Sequence, residues 1–587
     1  NDVDGEQGRY NQYLYELSKK IGVPLITGTD THALNEEHLK GRKTLQKAKN
    51  VRFENEDSWD LTFKTYDELI LEYQKQNVLP MNVVLDAIEN TNRLADMVDE
   101  FELDETYKYP HLWEDSEATF AEKIKEGIKR RGVDKYPNYQ EYLDRIEHEL
   151  EAYRHNGAID FMLLMEDIID WCVSQDIRVG YGRGSVNGSV IAWLLGITEM
   201  DSIKHKLNFE RFMNVERVSL SDIDTDFPPS RIDEVKNYIF SKAGLHCCDI
   251  ITFNTIALKG AIKDVCRAFH YENIEYTPDT VKKKISEWEK RIEGHDSRDT
   301  DVRMPKDIIV DIEKYSIHKE VPYEYVSFAN ELSNLVDTDE ELARKQYPDI
   351  FELVDLVNGT IVSVGSHPCG CVVSPDTVSD KIGTFTTSTS IYPISQIYMK
   401  EIDSLNYVKL DLLRLDTIEI INETCKLAGI ERLTPDNMDI TDVNVWNSMR
   451  DDTTQIFQWE GKTGDDYIKK LLSDENIKKF QEVDDNVDRM TLLSIGNSAI
   501  RPAGASYRED LANGVVRKSG SDAIDEFLKP TFGYLVFQCQ IIDFLHQYCG
   551  FTMGEADIVR RHFAKKTGTE DDIPVIKDGG YMKDKDG

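Results

Sequence analysis

The sequence is short of positive charge: 70 lysines and arginines face 108 aspartates and glutamates, a formal net charge of −38. A field of that sign repels phosphate at long range, which argues against a general nucleic-acid coat and confines any polyanion site to a local patch. No apolar run is long enough to cross a membrane. The nine cysteines are an odd number and include no Cys-x-x-Cys pair, which points to reduced thiols in a cytoplasmic setting rather than a disulfide framework. His246-Cys247-Cys248 and His367-Pro368-Cys369-Gly370-Cys371 lack the spacing of a zinc hairpin and read as plain buried thiols. A starting Met, a basic n-region and an apolar h-region are all missing from Asn1-Asp2-Val3-Asp4-Gly5, so this start reads as a fragment edge without a signal peptide. The end, Tyr581 to Gly587, has the same unfinished character. There is no internal repeat and no low-complexity tract.

What is present is enough chain for several domains, 587 residues at 40% hydrophobic content, with substantial cores expected. Val218 to Phe227 holds three carboxylates at every second position. As a strand it puts Asp222, Asp224 and Asp226 on one face and Ile223, Thr225 and Phe227 on the other. Three anions on one face call for a counter-charge, and one or two divalent cations with hard oxygen ligands are the usual answer. An EF-hand loop is excluded because Phe227 and Pro228 stand where its glycine turn is needed. A solvated acidic edge strand remains the alternative.

Upstream, Gly180 to Ser189 is a glycine-rich turn feeding the apolar helix expected from Val190 to Ile197. Such a turn leaves N–H groups free to face an anion and the helix dipole adds to the attraction. Glycines needed for close packing are the other reading, and a Walker loop is excluded by the lack of Gly-Lys-[Ser/Thr]. Arg211 and Arg217 lie between the turn and the acids, so a phosphate cradle, two arginines and an acidic strand fall close together in a triphosphate-plus-metal pattern. Far downstream, Tyr407-Val408-Lys409-Leu410-Asp411-Leu412 alternates, with Val408, Leu410 and Leu412 on one face and Lys409 with Asp411 on the other. A local Lys–Asp ion pair is its plain alternative.

Around these motifs the periodicity predicts helices near 13–20, 66–102, 118–155 and 158–172, and short strands at 23–28, 177–180, 250–253, 360–364 and 371–373. Residues 256–356 read as a charged helical insertion with a loop at Gly294-His295-Asp296. Asp30 and His32 follow the first strand as two candidate metal ligands, or as a loop histidine without metal. Two basic runs, Lys123 to Arg131 and Arg560 to Lys566, are candidate polyanion contacts or solvated helix faces.

Taken in order, Gly182-Arg183-Gly184-Ser185, Glu210-Arg211-Phe212, Glu216-Arg217-Val218-Ser219, Asp222-Ile223-Asp224-Thr225-Asp226-Phe227, Ile250-Ile251-Thr252-Phe253, Val408-Lys409-Leu410-Asp411, Phe457-Gln458, Arg501-Pro502 and Ala556-Asp557-Ile558-Val559-Arg560-Arg561 resemble the motifs of the family C replicative DNA polymerases of bacteria, the α subunits of DNA polymerase III. The resemblance covers nearly the whole chain. It implies an α+β multidomain fold: a PHP-domain remnant over 1–60, a mixed-sheet, nucleotidyltransferase-like palm over 61–253 and 359–416, a helical thumb over 254–358 and truncated helical fingers over 417–587. The clamp-binding and other C-terminal regions of the family are absent.

By the same resemblance Asp222, Asp224 and Asp411 are the catalytic carboxylates and hold two Mg²⁺ ions. Gly184, Ser185, Arg211, Arg217 and Lys409 lie around the incoming dNTP and primer end, with Arg501, Arg560 and Arg561 as triphosphate contacts. Asp30 and His32 are a candidate PHP metal remnant. The implied activity is template-directed DNA synthesis in the cytoplasm, on primed template DNA, with a sliding clamp and other replisome subunits as partners and no membrane. A PHP-type phosphoesterase or 3′→5′ nuclease and a non-catalytic assembly subunit are the alternatives. Ser221, Cys539, Arg501-Pro502-Ala503-Gly504 and Ser366-His367-Pro368-Cys369-Gly370 depart from the family pattern and point to a divergent lineage, bacterial or viral, while no catalytic carboxylate is lost.

Overall fold

Alternation of buried and polar residues at the sequence level produces the strands that organise this molecule. In the computed structural model, which describes residues 5–51, 53, 59–216, 222–270 and 321–577, six strands form one mixed sheet. They are β1 (Asp224–Phe227), β2 (His246–Thr255), β3 (Ile361–Ser374), β4 (Thr384–Phe385), β5 (Ile394–Ser395) and β6 (Val408–Arg414), in the order β1-β6-β3-β2-β5-β4. β6 pairs parallel with β1 and antiparallel with β3. Val408, Leu410 and Leu412 are buried and Lys409 and Asp411 are half-buried, as the period-2 pattern requires. The fold is α+β.

The chain divides into two units, Asn1–Leu103 with Phe253–Gly365, and Asp104–Thr252 with Ser366–Gly587. In the first, helices Glu36–Lys49, Leu258–His270, Val321–Gln346 and Pro348–Val357 share a core of Ile262, Val265, Leu332, Phe351, Val354 and Val357. Gly41 permits close approach there, since a Cβ on it would lie 3.1 Å from Leu356 Cβ. Residues 271–320, with the loop expected at Gly294-His295-Asp296, lie outside the described residues.

In the second unit the apolar run at 158–172 becomes helix Ile159–Ser174, buried along most of its length. It packs with Phe120, Tyr153, Trp193, Phe209, Phe212 and Phe227 beneath the β6 face formed by Val408, Leu410 and Leu412. Each such fully buried side chain contributes roughly 1.5–3 kcal/mol of hydrophobic free energy. A second core gathers Trp446, Trp459, Tyr467, Phe480, Leu492, Phe532 and Tyr534, and a third Ile542, Leu545, Phe551 and Val559.

Several expected elements differ. Residues 23–28 are extended but unladdered, because their polar groups are taken by the helix Met81–Asp96: Thr27 N donates to Ala87 O and Asn90 Nδ2 to Leu25 O. At 177–180 no strand forms: Ile177 N turns back to Cys172 O at 2.8 Å and Gly180 N donates to Asp226 O at 2.8 Å. The helical run at 66–102 splits into Tyr66–Gln76 and Met81–Asp96 at Pro80, whose ring cannot continue a helix. The acidic strand begins only at Asp224, the first residue that pairs with β6, so Asp222 precedes it. Residues 360–364 and 371–373 belong to one strand, β3.

Candidate active site

Among the described residues β1 is one of the two edge strands of the sheet, and its first residue, Asp224, is the register partner of Asp411 on β6. Neighbouring strands lie about 4.8 Å apart, so registered side chains are immediate neighbours. Asp222 precedes the strand, with Lys409 Nζ 3.7 Å from its Oδ1 and 2.8 Å from Asp403 Oδ1. Burial raises the Asp222 carboxyl above the ordinary range, Lys409 opposes this, and Asp411 and Asp403 add to it. Asp224 is raised by burial and then by the charges of Asp411 and Asp222. Burial works against the Lys409 charge, but Asp403, Asp222 and Asp411 outweigh it and raise the ammonium.

Asp226 is differently placed. Arg183 Nη1 lies 2.8 Å from its Oδ1, so burial raises this carboxyl while Arg183 holds it down. The third acid of the stretch therefore has its counter-charge within the protein. Arg183 in turn stands 6.0 Å from the ring centre of Phe457.

The glycine turn closes over the acids. Gly184 has φ +70°, and a Cβ on it would lie 3.1 Å from Asp224 Oδ2, so glycine is required by conformation and by space. A short 3₁₀ turn, Gly184–Gly188, leads into helix Val190–Leu195. The N–H groups of that helix are not open to a ligand, contrary to the sequence expectation. The fully buried carboxylate of Glu149 accepts from Val190 N at 2.8 Å, Ile191 N at 3.1 Å and Ser189 Oγ at 2.7 Å. Arg145 Nε bonds Glu149 at 2.9 Å, and its Nη2 donates to Gly188 O at 2.8 Å. An internal anion thus occupies the helix end, and the turn itself is what remains exposed to the site.

A cavity of about 380 Å³ lies there, lined by Gly184, Ser185, Arg211, Asp222, Asp224, Gln538, Arg560, Arg561, Ala564 and Lys565. Four of these come from helix Met553–Lys565, which starts at a capping box: Thr552 N donates to Glu555 at 2.8 Å and Glu555 N to Thr552 Oγ1 at 3.2 Å. Gly554 in its first turn leaves room for Glu216 and Asn214, which a Cβ would meet. Asn208 Nδ2 donates to Asp543 Oδ1 at 3.0 Å on the preceding helix.

Seven of the residues picked out from the sequence therefore line one cavity, and Lys409 and Asp411 adjoin it through Asp222 and Asp224. Arg501 is not among the lining residues; it precedes the turn Pro502–Gly504. Arg217 lies outside the described residues. Asp30 and His32 belong to the other unit, on an exposed loop where His32 Nδ1 is 2.8 Å from the Asp30 carbonyl. Sequence reasoning did not single out Gln538, Lys565 or Asp403. Lys565 sat in the second basic run, but Gln538 and Asp403 carried no pattern of their own.

Asp222, Asp224 and Asp411 offer hard carboxylate oxygens beside the Lys409 ammonium, and burial together with the charges of Asp411 and Asp222 raises Asp224. That donor chemistry fits a divalent cation. Among the described residues no three acid, imidazole or thiol groups are gathered closely enough to hold a metal ion between them.

Comparison with known proteins bears on the same segments. Residues 118–414 match the family described as the bacterial DNA polymerase III alpha NTPase domain. The chain belongs to the bacterial DNA polymerase III alpha family. Residues 414–573 match that family's finger domain. The chain is 28% identical to the DNA polymerase III subunit alpha of Aquifex aeolicus, over 96% of this chain and 48% of that protein. It is 27% identical to that of Helicobacter pylori, over 96% of this chain and 45% of that one. A third relative, from Vibrio cholerae, is 28% identical over 76% of this chain and 37% of its own length. The chain thus spans about half the length or less of these DNA polymerase III alpha relatives. Among the described residues no helix is long and apolar enough to cross a membrane.

Proposed function

We propose that this chain performs template-directed DNA synthesis, adding deoxynucleoside triphosphates to the 3′-hydroxyl of a primed template. The observation that carries the reading is the registered pair Asp224 and Asp411, of which Asp224, with Asp222, lines a cavity that Arg560, Arg561 and Lys565 also line. Acids and cations lining one cavity suit a metal-bound triphosphate. On this reading the sheet is a palm, the helices after residue 416 are fingers, and the helices between β2 and β3 are a thumb.

Asp222, Asp224 and Asp411 would hold Mg²⁺. Bound there, such ions lower the pKa of a primer hydroxyl and neutralise charge on the departing pyrophosphate. The chain's own residues do the rest. Ser185 and the Gly184 backbone orient phosphate oxygens, the arginines and Lys565 offset charge that develops on them, and Lys409 holds Asp222 in place. Base pairing with the template selects the nucleotide, so protein readout of base edges is not needed. A sliding clamp and other replisome subunits, in the cytoplasm, complete the proposal as partners of the longer protein.

Primer extension tests it. With Mg²⁺, a primed template and one correct nucleotide, the chain should extend the primer, and Asp411→Asn or Asp224→Asn should cut the rate by about a hundredfold or more. Undiminished extension by both variants would sink the assignment.

A further inference from the structure

Consecutive residues on a helix point about 100° apart, so helix Met553–Lys565 does not by itself aim Arg560 and Arg561 at one ligand. One carboxylate holds both. Asp557 is fully buried; its Oδ1 accepts from Arg560 Nε at 2.8 Å and lies 2.7 Å from Arg560 Nη2, and its Oδ2 accepts from Arg561 Nε at 2.9 Å. These are the i+3 and i+4 spacings at which helix side chains meet. From the preceding helix Gln538 Oε1 accepts from Arg560 Nη1 at 3.0 Å. Gln538, Arg560 and Arg561 then line the cavity that also holds Asp222 and Asp224.

We propose that Asp557 is a positioning residue for the triphosphate, gripping both guanidiniums by one edge so that their remaining N–H groups face the cavity. The proposal rests on the polymerase reading of that cavity. A guanidinium has five N–H donors. Arg560 commits Nε and both terminal nitrogens to Asp557 and Gln538, and its side chain is only 8% exposed. It is a nearly fixed charge. Arg561 is 37% exposed and, among the described residues, is held through Nε alone, which leaves both terminal nitrogens for two oxygens of one phosphate. Holding the pair before the nucleotide arrives removes the ordering cost from the binding step. The effect belongs in nucleotide affinity, not in the chemistry at Asp224 and Asp411.

Steady-state single-nucleotide incorporation on a primed template with Mg²⁺ separates this from a purely structural role. Asp557→Asn should raise KM for the nucleotide about tenfold or more and change kcat far less, and Asp557→Glu should recover part of the loss. In an Arg561→Ala background Asp557→Asn should add less than it does alone, since part of its effect runs through that arginine and only the part through Arg560 remains. If Asp557→Asn does not fold, Arg561→Lys decides: it keeps the charge but loses the Nε edge, and should raise KM similarly. A chain that extends primers and keeps a normal KM in Asp557→Asn, or in Arg561→Lys, overturns the proposal. A wild-type chain that extends nothing overturns the polymerase reading, and this inference with it.

Discussion

Asp224 and Asp411, far apart in the chain, occupy the same rung of two parallel strands. Burial raises the Asp224 carboxyl, and the charges of Asp411 and Asp222 beside it add to the rise. A carboxyl whose folded value lies above its unfolded value binds its proton more tightly in the folded protein. Its ionised form therefore costs stability at neutral pH, and the cost fades as pH falls below the raised value. Asp224→Asn should melt no lower than the wild type in metal-free buffer at pH 7.5, yet lose the stabilisation that added Mg²⁺ gives the wild type. Thermal melts with and without the ion check both halves.

Gly184 gives a steric test of the same site. Alanine there meets a φ of +70° and places a methyl 3.1 Å from Asp224 Oδ2. The backbone conformation alone costs roughly 1–2 kcal/mol for a residue with a Cβ. Gly184→Ala should lower the melting temperature and reduce primer extension further than that loss accounts for, because the displaced group is the acid.

Glu149 tests whether the turn depends on its internal anion. The carboxylate is fully buried, raised by burial and opposed by Arg145, Ser189 and two backbone N–H groups. Removing one member of a buried pair leaves the other uncompensated, at about 3–5 kcal/mol. Glu149→Ala should destabilise the unit by that order in chemical denaturation, with Arg145 left to the carbonyls of Gly188 and Leu207.

The His148–Glu210 pair predicts a pH window. His148 Nε2 lies 2.9 Å from Glu210 Oε1; the hydrogen bond to Glu210 raises His148 against the cost of burial. Burial alone would raise Glu210, but His148 outweighs it and the carboxyl is lowered. The histidine contribution is fully present below its unfolded value, about 6.5, and is lost as pH rises through the raised one. The glutamate contribution is present above about 4.5 and is lost as pH falls through the lowered one. Because His148 is 53% exposed, solvent screens the pair and the effect is small. His148→Gln should flatten this part of a stability–pH curve, with the largest difference from wild type near pH 5–6.

Much of this was legible in the amino-acid order. Alternation at Val408, Leu410 and Leu412 names a one-sided strand and puts Lys409 and Asp411 on its other face, because side-chain direction in a strand has a period of two. The apolar run at 158–172 had only one place to go, the interior. Local order could not state that Asp224 pairs with Asp411, since register comes from long-range ladder bonds, nor that β1 starts at Asp224 and leaves Asp222 before it.

The two basic runs draw the line most clearly. Both read alike as sequence, helical and rich in Lys and Arg. In the folded chain the first is largely spent on internal partners: Lys123 on Glu166, Arg130 on Leu194 O and Arg131 on Glu199. Of the second, Arg560, Arg561 and Lys565 line the cavity with the acids. Composition determined that any phosphate site must be local, because the net field is repulsive. Which cations make that site was decided only by tertiary packing, because the fold sets which partners each charge meets: the first run turns onto groups within the protein, whereas Arg560 and Arg561, though held at Asp557, line the cavity.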